Sequence, residues 1–315
     1  MPVAISPDLI ERFRSPLAWI DAATARIGVA VSGGPDSLAL LMLAHGAWPG
    51  RVHAATVDHG LRPEAAHEAA FVAGLCAAQG IAHSTLSPTC PITGSVQQAA
   101  RRARYALLEE WRTTHGLMCI MTAHHADDQA ETLLMRLNRG AGVGGLAGIR
   151  AENGHVIRPL LAWRREDLAA IVSNCGLHHV NDPSNADSRF DRVRMRTALR
   201  TAEWIDIPAL ARSAAHLADA EAALSWAADR LESEHIIEEE QRLVFDPASL
   251  PEELVRRLLL RAIARLDPSA EPSGPELDRA LAALRSGRKT SLGALVLSGG
   301  KRWRIAPAPP RRAAH

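Results

Sequence analysis

Three short runs in this chain carry residue types that can do chemistry. Residues 31–38 read VSGGPDSL, small and polar letters directly after an apolar stretch. Small residues let backbone N–H groups close on a bound anion. A helix starting there adds the positive end of its dipole. Ser32, Gly33, Gly34 and Ser37 fit such a cradle, while Pro35 has no N–H to give. The run lacks the G-K-[ST] of a P-loop and the G-x-G-x-x-G of a dinucleotide fold. Asp36 is the odd letter, because a carboxylate beside phosphates repels them unless a cation intervenes. It therefore points to Mg²⁺. A tight turn with a capping aspartate would use the same letters and bind nothing.

The second run is VDHGLR, in which Asp58 closes an apolar, β-branched stretch. Carboxyl ends of neighbouring parallel strands are where open α/β sheets bind ligands. The third is TAHHADDQAET, with His124, His125, Asp127, Asp128 and Glu131. If a helix begins near Ala126, Asp128 and Glu131 share one face. Two carboxylates and a histidine there suit Mg²⁺ or a cationic substrate. Helix capping is the plainer reading of the same aspartates. The H-E-x-x-H of a zinc protease is absent. Arg101, Arg102 and Arg104 lie upstream, and an inward arginine could stabilise charge on a transferred phosphate.

These runs need positioning elements. Strand-like segments at 26–32, 51–58, 81–86 and 117–123 alternate with helix-like ones at 37–47, 64–79, 95–116 and 126–137. That alternation predicts an α/β fold: an open, mostly parallel sheet with helices on both faces. Six glycines between 138 and 155 suggest a loop, either ordered or a lid over the site. A helix follows at 165–176, and the run over 182–200 begins as turn material and ends with Arg189, Arg192, Arg194, Arg196 and Arg200. After about 203 the texture turns helical: 207–235, 251–266 and 274–287. A short strand at 242–246 and a basic hairpin from 294–300 and 301–307, turning at Gly299–Gly300, complete it. The expected division is a catalytic domain over 1–203 and a small, mainly helical C-terminal domain over 204–315. Trp303 in the hairpin fits either a stacking surface or a core.

The chain has 315 residues, enough for one large or two modest domains. Its apolar fraction of 47% argues against wholesale disorder. No apolar run spans a membrane and no signal-peptide order opens the chain. The four cysteines show no C-x-x-C, so neither zinc nor a redox pair is signalled, and a reducing cytoplasm is the default. The net charge of +1 conceals an uneven distribution. Residues 221–240 are acidic, while 285–315 hold eight basic residues and no acidic one. Of 36 basic residues only Lys289 and Lys301 are lysines. Arginine suits bidentate phosphate contact.

Taken in order, SGGPDS, VDHGLR, AARRARY, TAHHADDQAETLLMRLNRG, RPLL and DPSN resemble the tRNA(Ile)-lysidine synthases, N-type ATP pyrophosphatases with an SGGxDS loop. The likeness is strong over about 25–200. It implies an ATP-dependent ligase acting on the CAU-anticodon tRNA(Ile) with free L-lysine, in the cytoplasm. ATP would adenylate the C2 oxygen of the first anticodon cytidine, releasing pyrophosphate. Lysine would then displace AMP and leave lysidine. By that resemblance Ser32, Gly33, Gly34, Pro35, Asp36 and Ser37 hold ATP, and Asp36 also holds Mg²⁺. Asp58 assists, Arg104 contacts phosphate, and Asp128 and Glu131 bind the lysine ammonium. His125 or a carboxylate takes the amine's proton. Arg192, Arg194 and Arg196 contact tRNA phosphates, although Val193 stands where the family usually has Asn. A homodimer is expected on general grounds only. Alternatives are another PP-loop nucleotide or tRNA-modifying enzyme, or a noncatalytic RNA-binding protein on this fold.

Overall fold

The computed structural model describes residues 5–20, 24–60, 64–88, 96–180, 189, 191–240 and 242–309. Arg62, Cys90 and the DPSN run at 182–185 therefore lie outside the described residues. Two compact units emerge, 1–218 and 219–315.

The first unit opens with α1 (Pro7–Arg14) and a 3₁₀ turn over Ser15–Ile20. Four strand–helix pairs follow: β1 (Arg26–Ala30) and α2 (Pro35–Ala47), β2 (Val52–Val57) and α3 (Glu64–Gln79), β3 (Ala82–Leu86) and α4 (Val96–Thr114), β4 (Leu117–Met121) and α5 (Ala126–Leu137). Then come α6 (Val143–Leu146), the two-residue strands β5 (Glu152–Asn153) and β6 (Val156–Ile157), α7 (Arg165–Asn174), α8 (Asp191–Thr201) and the start of α9 (Ile207–His235). The sheet order is β3-β2-β1-β4-β6-β5, parallel except for β5. The chain steps outward from β1 to β3 and returns to the other side of β1 as β4. The crevice between β1 and β4 is thus the topological switch point.

Both faces of the sheet are covered. On one, Ile27 and Val29 of β1 join a core made with α1, α2, α3 and α7. On the other, Ala30 packs with Leu108 and Trp111 of α4. Buried on nearly every side, α2 is apolar all round from Leu38 to Ala44 rather than striped. Gly28 is required by the α4 face. A Cβ there would stand 2.7 Å from the Trp111 ring and 3.0 Å from Leu117.

The second unit is mainly helical, and its helices pack on a sheet. It contains a five-stranded antiparallel sheet in the order β7-β8-β11-β10-β9. These are β7 (Ile236–Glu239), β8 (Arg242–Phe245), β9 (Lys289–Leu292), β10 (Leu295–Ser298) and β11 (Trp303–Pro307). Against it pack α10 (Glu252–Leu266) and α11 (Gly274–Arg285). Periodicity misses β7 and β9 because each is an edge strand that buries a single residue. The terminal hairpin forms with Ser298 paired to Arg304. Trp303 is core: it is buried and meets Phe245 edge-on at 5.4 Å. The division falls inside α9, later than 203. The reason is that Ile207, Leu210 and Ala211 pack on Ala126 and Ala130 of α5.

Replacing Gly28 by Ala should cost about 1–3 kcal/mol through overpacking. Urea unfolding checks this; an unchanged midpoint would show that Trp111 yields freely.

Candidate active site

The SGGPDS run folds as a cradle between β1 and α2. Gly33 has φ +83°, a conformation that strains any side chain, and its Cβ would meet Val180 at 3.0 Å. Its carbonyl accepts from Val180 N–H at 2.9 Å. Gly34 is the extended N-cap of α2 and Pro35 takes the first turn, where its missing N–H costs nothing. The Ser37 hydroxyl donates to the Gly34 carbonyl at 2.9 Å and faces the Ser32 N–H at 3.1 Å. The serine thus staples the loop to the helix. The helix N-terminus opens into a cleft of about 1220 Å³ at the carboxyl ends of β1, β2 and β4.

Asp36 lies on this cleft. Its Oδ1 is buried without a hydrogen-bond partner, and its Oδ2 is 3.4 Å from His125 Nε2. An unpaired carboxylate oxygen beside an anion cradle is the donor a hard cation takes, so Asp36 fits Mg²⁺. Among the described residues no three His, Cys, Asp or Glu side chains are gathered to hold a metal. Mg²⁺ commonly uses one or two carboxylates plus substrate phosphates.

His125 is only 1% exposed and faces three carboxylates. Its Nδ1 is 3.6 Å from Asp127, and its Nε2 is 3.6 Å from Asp128 as well as near Asp36. Burial alone would lower its pKa, but Asp127 and Asp36 outweigh that and raise it to about 9. Without a metal on Asp36 this favours the imidazolium at neutral pH. The Asp128 N–H also points at Nδ1, at 3.4 Å, but an imidazolium nitrogen cannot accept it. The cap that holds is the Asp128 carboxylate accepting from the His125 N–H at 3.2 Å. Although burial works against it, Asp127 is held well below the usual carboxylate range by His125 and the Arg165 N–H, the latter at 2.9 Å. Asp128 is likewise lowered, with burial opposing and His125 and Arg192 prevailing.

His124 is the contrasting ring. Burial pushes it down to about 4, so a neutral imidazole lines the cleft. His59 also lines it, with its pKa lowered by burial and by Arg104, itself on the cleft wall. Asp58 is turned to structure: its Oδ1 accepts from Gly60 N–H at 2.8 Å and it is not on the cleft wall.

Glu131 is not open to the cleft. It is 1% exposed and held by Arg196 Nε at 2.8 Å, Arg192 Nε at 3.1 Å and Arg165 Nη2 at 3.8 Å. Helical spacing puts Arg192, Arg196 and Arg200 in one row on the cleft. Arg194 leaves that row and pairs with Asp191. Helix α8 buries no residue fully and meets α5 through these ion pairs and through Leu199, which packs on Ala126 and Ala130. The glycine-rich segment is no lid. Gln129 exchanges hydrogen bonds with Ile149, Arg136 donates to the Gly145 and Gly148 carbonyls, and none of the segment lines the cleft. Arg165 is a cleft residue to which nothing in the sequence points, whereas His124 and Arg200 stand in their runs without an individual role.

A strand, an SGGxDS turn and a buried helix at the switch point of a parallel sheet define a PP-loop ATP-binding protein. The family model described as a PP-loop domain matches residues 8–203. A tRNA(Ile)-lysidine synthase of Novosphingobium aromaticivorans is 46% identical, covering 96% of this chain and 94% of its own. One of Zymomonas mobilis is 42% identical, covering 92% and 91%. The U34-tRNA thiolase NcsA from Methanococcus maripaludis, solved with its [4Fe-4S] cluster, shares the fold at TM-score 0.55 and 15% identity, over 67% of this chain and 76% of that one. The chain belongs to the tRNA(Ile)-lysidine synthase family, ATP-dependent ligases that modify tRNA. No helix among the described residues is long and apolar enough to cross a membrane.

The raised His125 pKa fixes a pH dependence. Its contribution to stability is complete below the free value of 6.5 and is lost as pH rises through about 9. In metal-free buffer, wild type should lose more Tm than His125→Gln over that window. Parallel curves would show that the imidazolium does not hold the site.

Proposed function

We propose that this chain adenylates the C2 oxygen of the first anticodon cytidine in CAU-bearing tRNA(Ile) and joins free L-lysine to that carbon. The observation that carries the reading is one cleft with an anion cradle at one end and an acidic group at the other. His125 joins the two ends through Asp36 and Asp128.

In the first step the cytidine oxygen attacks the α-phosphorus of ATP, and pyrophosphate departs with the bonding electrons. Ser32 through Ser37 cradle the departing pyrophosphate, using backbone N–H groups and the α2 dipole. Mg²⁺ held at Asp36 would neutralise phosphate charge beside that carboxylate. Arg104, on the opposite wall, reaches the nucleotide. Arg192, Arg196 and Arg200 present a row of donors to tRNA phosphates, which positions the RNA without reading its sequence. Arg194, paired with Asp191, is outside that row.

In the second step the lysine amine attacks C2, the C2–O bond breaks and AMP leaves. Asp128 lines the cleft and receives the ammonium. Glu131 stands behind it, where lysine has to compete with three guanidinium groups. One proton must leave before attack. His125, Asp128 and the neutral His124 are the groups beside the ammonium end that can take it.

Purified protein, ATP, Mg²⁺ and labelled lysine should incorporate lysine into unfractionated bacterial tRNA. No incorporation by folded enzyme would overturn the assignment. Asp36→Asn should abolish pyrophosphate release. Asp128→Asn should raise the half-saturating lysine concentration more than Glu131→Gln does. Equal lysine dependence in wild type and Asp128→Asn would remove Asp128 from the ammonium site.

A further inference from the structure

Arg165 is the first residue of α7 and lines the cleft, yet the reading above gives it no task. Its backbone and side chain do different things. The N–H donates to Asp127 at 2.9 Å, which fixes the start of α7 against the start of α5. The guanidinium turns inward. Its Nη2 lies 3.5 Å from His125 Nε2 and 3.8 Å from Glu131 Oε1. Its Nε is buried and has no hydrogen-bond partner.

A guanidinium has five N–H donors, is never an acceptor and stays charged. Leaving one of its donors buried without an acceptor is unfavourable, so the arrangement favours an anionic oxygen brought in by a ligand. Position says which oxygen. Asp36 marks the end of the cradle, His125 touches Asp36, Arg165 touches His125, and Glu131 lies beyond. The guanidinium therefore stands beside His125, the ring that links Asp36 at the pyrophosphate end to Asp128 at the ammonium end. The α-phosphate is the group that must lie between them in both steps.

We propose that Arg165 is a catalytic residue that donates hydrogen bonds to a non-bridging oxygen of the α-phosphate. The proposal rests on the lysidine-forming reading. In step one the phosphorus gains the cytidine oxygen and loses pyrophosphate, and charge builds on its non-bridging oxygens. In step two the same phosphate leaves as AMP, taking the C2–O electron pair. A fixed cation at that oxygen stabilises both transition states.

The test is single-turnover pyrophosphate release with tRNA, using wild type, Arg165→Gln and Arg165→Lys. Arg165→Gln should slow release by about 100-fold with little change in the KM for ATP, and Arg165→Lys should recover part of the rate. A second readout uses the two diastereomers of ATP carrying sulfur at a non-bridging α-position. Wild type should discriminate between them, and Arg165→Gln should lose most of that discrimination. A role confined to holding Glu131 predicts normal release, full discrimination and a raised lysine requirement; that result overturns the proposal. If Arg165→Gln fails to fold, the diastereomer ratio of Arg165→Lys decides. A wild-type ratio overturns the proposal, and an altered one supports it. Wild type unable to release pyrophosphate with tRNA would instead sink the parent reading.

Discussion

Three carboxylates from two helices converge on the buried ring of His125. Asp36 comes from the first turn of α2, and Asp127 and Asp128 from the first turn of α5. The two helices begin at neighbouring strand ends on either side of the switch point. Carboxylates this close would repel one another, and burial would strengthen that repulsion. An imidazolium among them turns repulsion into attraction. Asp127 then passes the constraint to α7 through the Arg164 and Arg165 contacts. Anion cradle, acidic group and third helix are thereby held in register around one buried ring.

The same accounting explains why the site is rich in arginine. Asp36, Asp127, Asp128 and Glu131 bring four potential negative charges to a cleft that must also accept a triphosphate and an RNA. Arg164, Arg165, Arg192 and Arg196 balance them in fixed geometry. A guanidinium keeps its charge on burial, whereas a lysine can shed it. The unit that holds the cleft contains no lysine at all. An ammonium substrate, as proposed, would therefore meet no lysine side chain from this unit.

Most of the first sheet was legible because its strands and helices alternate with clear periods. The expected helix at 126–137 and strand at 117–123 match α5 and β4 within two residues. The cradle was legible from small residues at a strand end. The β7 and β9 edges were not, because strands that bury one residue leave almost no alternation to read. The glycine-rich segment misled for a related reason. Its composition permits motion, but Gln129 and Arg136 of α5 fasten it. The boundary near 203 followed a change in texture and could not register that the first turn of α9 packs on α5.

By itself the sequence determined what is encoded within a few residues: the strand-to-helix turn, the position of Asp36 one step into α2, and the four-residue row of Arg192, Arg196 and Arg200. Tertiary structure decided what those groups meet. Glu131 and Arg192 are 61 residues apart, and only the docking of α8 on α5 makes them partners. Adjacent histidines in one run become opposites, His125 charged among carboxylates and His124 neutral. Charge interactions depend on distance and burial in space, and neither is written in the order of the letters.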